Sequence, residues 1–259
     1  DFINALLEAF RELLDIKSVK VLISIRTDIL MGIYRSSLRQ DEKDQSLIYS
    51  ISWNKTEIRE IIDARINYLV KNRYQSSKLV TMKDIFGFQV DGIGADDYIL
   101  DRTMLRPRDA INFVNICLSE CDGIVNLNEN IILVAEEKYY SSRKRALVTE
   151  WKSIYPFIDE YLDALSLLST SEFDLPMLPQ IDKEKISQHI FDRLANNQED
   201  EHHMKIIMNF EELLKVWFTV GVIGIKKTSS LIIYSSFDKP NLDITDMKRT
   251  FIIHPLFNR

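Results

Sequence analysis

Apolar positions recur at three-and-four spacing along most of this chain, the signature of helices that bury one face. The first such stretch, from Asp1 to Leu14, predicts an amphipathic helix. It gives way to Val19-Lys-Val-Leu-Ile-Ser-Ile25, a β-branched run too continuous for a half-exposed strand, which predicts a strand buried on both faces of a parallel sheet. One strand cannot bury itself, so its partners are expected before residue 1, in another chain or in a later segment. From Trp53 the helical rhythm holds for about a hundred residues. Asn54 or Thr56 can cap a helix whose Ile58, Ile61, Ile62, Ile66 and Leu69 line one side, together with Arg65. Residues 87–101 read as an acidic, glycine-containing loop.

The most informative stretch is Thr103-Met-Leu-Arg-Pro-Arg-Asp-Ala-Ile-Asn-Phe-Val-Asn-Ile-Cys117. Pro107 suits the first helical position and Asp109 complements the positive end of the dipole. Ala110, Ile111, Val114, Cys117, Leu118 and Cys121 then trace one buried face. Arg106 and Arg108 therefore project from the rim of a packed element, where rigid guanidinium groups suit an anion. A long helix follows over about 128–154, ended by Pro156, then a shorter one over 157–168. The segment 169–179, with its two prolines, reads as a domain boundary. Beyond it come helices over 181–194 and around Ile206, Ile207, Phe210, Leu213, Leu214 and Trp217. Short β segments follow at 221–225, 230–234 and 250–253, and helices followed by a small hairpin suggest a winged helix. The expected fold is mainly α with minor β.

Composition narrows the function classes. With 259 residues, 46% hydrophobic and 28% charged, the chain can hold a sizeable core. A net charge of −6 argues against coating nucleic acid over the whole surface and leaves only local basic patches. The two cysteines, Cys117 and Cys121, sit a helical turn apart on an apolar face and read as buried hydrophobes in a reducing compartment. No apolar run reaches the ~20 residues of a membrane span, and no signal peptide opens the sequence, so the expectation is a cytoplasmic protein without a membrane partner. The opening helix without an initiating methionine suggests a piece of a longer protein.

Candidate chemistry centres on anions. None of the seven glycines begins a Gly-x-x-x-x-Gly-Lys-Ser/Thr phosphate loop. Gly221-Val-Ile-Gly-Ile-Lys-Lys-Thr228 imitates one but lies in a hairpin pattern, and Ile132-Leu-Val-Ala-Glu-Glu137 imitates a metal-binding strand inside the long helix. Arg26 and Asp28 follow the predicted strand, where ligands of open α/β sheets bind, and Arg26 is placed to meet a terminal phosphate. A surface ion pair with Asp28 is the plainer reading. Lys226 and Lys227 at the hairpin tip, with Lys248 and Arg249, are candidates for DNA phosphates, against a solvated turn as the simpler account. His189, His202 and His203 lack metal-ligand spacing, and no metal site is expected. The basic run 138–145 reads as a solvated helix face, and 91–97 lacks the alternating ligands of a calcium loop.

Taken together, Val21-Leu-Ile-Ser-Ile-Arg-Thr27, Leu105-Arg-Pro-Arg-Asp-Ala-Ile-Asn-Phe113 and the Phe210–Phe257 segment resemble the C-terminal part of bacterial P-loop ATPases of the AAA+/STAND group, found in signalling and phage-defence proteins. The resemblance implies the remnant of an α/β P-loop core over 1–52, a helical lid over 53–170 and a winged-helix domain over 171–259. It implies that Arg26 senses the terminal phosphate of ATP, while Arg106, Pro107 and Arg108 contact the nucleotide from the lid. ATP and Mg2+ would be held mostly by residues outside this chain, and the remainder of the ATPase core is the implied partner. A homo-oligomer is implied, with DNA as a further partner through the winged helix. Without the phosphate loop and the acidic magnesium-binding strand, no residue here is expected to be catalytic. The alternative expectation is a non-enzymatic winged-helix module that binds DNA or protein.

Overall fold

A computed structural model describes residues 2–26, 29–30, 47–121, 123, 126–194, 201–228, 231–236 and 239–259. They fall into two compact units, one of residues 1–50 with 236–240, the other of 51–235 with 241–259. The chain is mainly helical, with small antiparallel sheets.

In the smaller unit the predicted first helix is present as α1, Phe2–Leu14. The predicted strand is not. Residues 19–26 join no ladder, and Leu22 is 99% exposed. The apolar run is right for a strand, but a strand is held by hydrogen bonds to its neighbours, and no described strand pairs with this one. Thr27 and Asp28 lie outside the described residues.

The larger unit begins with α2, Lys55–Tyr74. The Asn54 side chain accepts from the Glu57 N–H at 3.0 Å, and the Glu57 carboxylate accepts from the Asn54 N–H at 2.9 Å, a reciprocal cap that fixes the helix start. Ile58 and Ile62 are buried, whereas Leu69 of the predicted stripe and Arg65 are exposed. A short helix, α3 (Met82–Ile85), leads into a hairpin of β1 (Gln89–Val90) and β2 (Ile93–Gly94), then α4 (Ala95–Asp101). The expected acidic loop is therefore replaced by regular elements. Asp91 and Gly92 have φ of 50° and 76°, the left-handed pair that a two-residue hairpin turn needs, and α4 buries Tyr98, Ile99 and Leu100.

Helix α5 (Pro107–Glu120) has Pro107 in its first turn, and α6 (Glu129–Trp151) is capped by Asn128. They pack together, with Phe113 stacked on Tyr139 at 4.5 Å. Helix α7 (Ile158–Asp163) continues as a 3-10 turn over Ala164–Leu167. The segment 169–179 is more than a connection, because it supplies β3 (Glu172–Asp174). After α8 (Gln180–Leu194), α9 (Glu201–Met208) and α10 (Phe210–Thr219) come β4 (Ile223–Lys226), β5 (Ile232–Ile233) and β6 (Thr250–Ile253). Ser229 and Ser230 lie outside the described residues. The antiparallel order is β3-β6-β4-β5, with Phe173 opposite Phe251 and Ile223 opposite Ile253. Trp217 on α10 donates its indole N–H to the Tyr161 carbonyl at 2.7 Å, and one apolar core runs from Ile58 to Phe257.

Candidate functional site

The arginine-bearing turn links α4 to α5 and is fixed on several sides. The Thr103 hydroxyl donates to the Leu100 carbonyl at 2.8 Å, closing α4. Leu105 then takes φ 45°, a left-handed conformation that costs a branched side chain on the order of 1 kcal/mol. This reversal sets Arg106 in extended backbone as the residue before the helix, and its carbonyl accepts from the N–H groups of Asp109 and Ala110. The Arg106 side chain makes no capping bond, so its guanidinium is available for other work.

That guanidinium faces Glu150 near the end of α6. Arg106 Nη1 lies 3.3 Å from both Glu150 oxygens and is 49% exposed. From the interior, Arg143 reaches the same carboxylate, Nη1 to Oε1 and Nη2 to Oε2 at 3.4 Å each, with only 4% of its side chain exposed. Arg143 Nη2 also meets the Met104 sulfur at 3.5 Å, and Nε stands 3.5 Å from Asp109 Oδ2. Neither Arg143 Nε nor Asp109 Oδ2 has a hydrogen bond, and the Tyr139 hydroxyl is likewise buried without one. Burial pushes the Asp109 carboxyl above its usual range, with Arg143 and Arg106 pulling it back.

Behind the turn a second carboxylate, Glu136, collects cations from two directions. Tyr98 donates to it at 2.6 Å and Arg102 Nε at 2.8 Å, while Arg259 Nη2 stands 3.8 Å away. Arg102 lies over the Tyr98 ring and Arg259 over Tyr140, 3.2 and 4.1 Å from the ring centroids. The turn also meets the terminal sheet region. The Thr103 backbone hydrogen-bonds the buried His254 ring, and the Met104 methyl faces Gly221, where an added Cβ would lie 3.6 Å from it.

Of the predicted site residues, Arg106, Pro107 and Arg108 share this turn, with Arg108 exposed. Arg26 belongs to the smaller unit, in the segment without regular structure, with its carbonyl accepting from the Leu30 N–H at 3.0 Å. Lys226 is committed to Glu172 across the sheet at 2.6 Å, whereas Lys227 and Lys248 are exposed and Arg249 stands 3.9 Å from Asp246. His203 is buried, its Nδ1 3.3 Å from the Tyr161 hydroxyl and its ring edge-on to Phe157. The His202 side chain lies outside the described residues. Cys117 is buried, its thiol pushed up to about 12 by desolvation, while Cys121 is only partly covered.

The basic run 138–145 departs from its expected role as a solvated face. Lys138 pairs with Glu120, Lys144 with Asp159 and Asp163, and Arg143 is interior. Position 143 falls four residues from Tyr139 and from Leu147, and 135, 139, 143, 147 and 151 form one buried row. That spacing was the available signal for Arg143, as it was for Glu136 beside Ile132. Arg102, Glu150 and His254 carried no such signal, because their roles come from contacts distant in sequence.

Residues 56–148 match the FunZ-associated C-terminal helical domain. The matched span begins just inside α2 and closes near the end of α6, so it contains the arginine turn, Arg143 and Glu136, while Glu150 falls two residues beyond it. The matched span is mainly helical here, in keeping with a domain of that kind. No characterised protein and no solved structure gives a match. Among the described residues, no helix is long and apolar enough to cross a membrane, and no His, Cys, Asp and Glu side chains group as metal ligands.

Proposed function

We propose that this chain is the phosphate-reading and transmitting part of a nucleotide-gated switch, with the bond-breaking machinery supplied by the rest of an ATPase core. Arg106 and Arg108 contact the phosphates of ATP, whose magnesium is held outside this chain. Arg26 acts as a further phosphate sensor, and Pro107 sets the helix that carries the lid arginines. The observation that carries this reading is the construction of the turn: Arg106, half exposed, and Arg108, exposed, stand on a fixed backbone, with Arg106 joined to the interior Arg143 through the shared Glu150 carboxylate and Thr103 joined to His254. Fixed arginines serve phosphate recognition because their donors are already oriented before the anion arrives. Movement at Arg106 reaches the terminal sheet through Met104 and Thr103, which suits a relay to a homo-oligomeric assembly of the signalling or defence type.

The order β3-β6-β4-β5, with α10 feeding β4, supports a winged-helix reading of the C-terminal part. The engagement of Lys226 by Glu172 favours a wing that faces protein over one that faces DNA. In the full-length protein, Arg106→Ala and Arg26→Ala are each expected to weaken ATP about tenfold, measured by calorimetry. Unchanged affinity and turnover in both would overturn the switch. Salt-dependent duplex binding lost in a Lys226→Ala, Lys227→Ala variant would move the reading to a DNA-binding module.

A further inference from the structure

We infer that Glu150 is a built-in competitor for a phosphate group at the arginine turn, holding Arg106 and Arg143 until a phosphate-bearing ligand displaces it. The identification of that ligand as a nucleotide rests on the switch reading above, whereas the clasp itself rests on geometry alone. Two guanidinium groups from different elements converge on one carboxylate, and all four contacts are 3.3–3.4 Å. Charge-assisted N–H···O bonds close to about 2.7–2.9 Å when the geometry suits both partners. One flat carboxylate spread over two forks does not reach that distance to either. A terminal phosphate brings more charge and three oxygens disposed about a tetrahedron, a better match to donors arriving from two directions. Arg108, exposed two residues on, adds a third cation within the same first turn.

The interior side of the cluster points the same way. Arg143 is nearly fully buried, yet its Nε has no hydrogen-bond partner, and the Asp109 oxygen nearest to it has none either. The two face each other across 3.5 Å, an ion pair too open to count as a hydrogen bond, so Arg143 is held loosely on this side as well. The outer side is open, since Arg106 is 49% exposed and can follow an incoming anion without disturbing the core. Displaced, the Glu150 side chain sits close enough to solvent, at 17% exposure, to swing outward.

The test is calorimetric titration of the full chain at low ionic strength with sodium tripolyphosphate, repeated with ATP. Glu150→Gln is expected to bind tripolyphosphate about tenfold tighter than the native chain, and adding Arg106→Gln is expected to abolish that gain. Glu150→Asp keeps a carboxylate for Arg143 while drawing it away from Arg106, and is expected to give a gain of about threefold. It decides the matter should Glu150→Gln fail to fold by circular dichroism. No gain in either Glu150 variant overturns the clasp, as does an equal gain in Glu211→Gln, which removes the same charge from the start of α10. ATP bound well and equally by the native chain and both variants, with no gain for tripolyphosphate either, would sink the clasp and leave the switch reading intact. A gain for tripolyphosphate with ATP bound no better than tripolyphosphate would uphold the clasp and remove the nucleotide.

Discussion

A neutral imidazole can be buried at modest cost, whereas an imidazolium loses its hydration and must find an anion. His254 is enclosed by Tyr234 and Phe257, with ring centroids 5.3 and 6.2 Å away, and its Nδ1 accepts from the Leu256 N–H. Burial lowers its pKa to about 4; the hydrogen bond to the Thr103 backbone opposes that shift, while Arg102 and Arg143 add to it. The sign follows from linkage. In the unfolded chain the imidazole takes up a proton near pH 6.5, but in the folded chain only near 4, so stability is full above 6.5 and is lost as pH falls through that window. The loss approaches about 3 kcal/mol by pH 4. Thermal melts of the native chain should fall more steeply between pH 6.5 and 4 than those of His254→Gln. Parallel slopes would show that the ring is not held neutral. Asp109, whose raised pKa works in the opposite direction, is common to both chains and cancels in the comparison. None of this was legible in the sequence, where Ile253-His-Pro-Leu-Phe257 marks only a strand end, because the ring acquires its role from a turn 151 positions earlier.

Elements were legible where their stop and start signals are local. Asn54, Pro107 and Asn128 begin their helices by side-chain and ring chemistry within a turn of themselves; the sequence marks Pro107 outright, the long helix's start approximately, and Asn54 as one of two caps beside Thr56. The Asp91-Gly92 hairpin was written just as locally but was mistaken for a loop through its acidity. The opposite failure, residues 19–26, has a strand's composition without a ladder, since pairing is a property of two segments and composition of one. Two glycines separate the physical causes. Gly92 has φ 76° with open space around it, so Gly92→Ala should cost about 1 kcal/mol through backbone alone. At Gly224 a Cβ would lie 2.5 Å from Ile232 Cγ2 and 2.9 Å from the Tyr234 ring, so Gly224→Ala should cost about 1–3 kcal/mol through overpacking. Urea melts of the double variant with Ile232→Ala should recover part of the second loss. The first should be indifferent to it, and recovery there would contradict the assignment.

At the scale of the molecule, the mainly helical class followed from periodicity, whereas β3 lay in a segment read as a linker, and periodicity could mark Glu136 and Arg143 as buried without showing which partners they meet. Glu136 shows why. From sequence it looked like the end of a false metal motif, but in the fold it gathers Tyr98, Arg102 and Arg259, which lie 34–123 positions away in the chain. Removing one partner of such a buried cluster strands the others, so Glu136→Ala should lower stability by about 3–5 kcal/mol in chemical denaturation. A loss below about 1 kcal/mol would reduce the cluster to surface electrostatics.

The hydrogen bond between His254 and Thr103 also sets an order in time. During synthesis the arginine turn leaves the ribosome 151 residues ahead of the ring that secures it, an interval of roughly eight to thirty seconds at about 5–20 residues per second. For that interval the turn lacks one of its ties, and Leu105 keeps its left-handed backbone on the contacts made within residues 100–150 alone. The turn therefore reaches its full set of contacts only once the terminal sheet has formed.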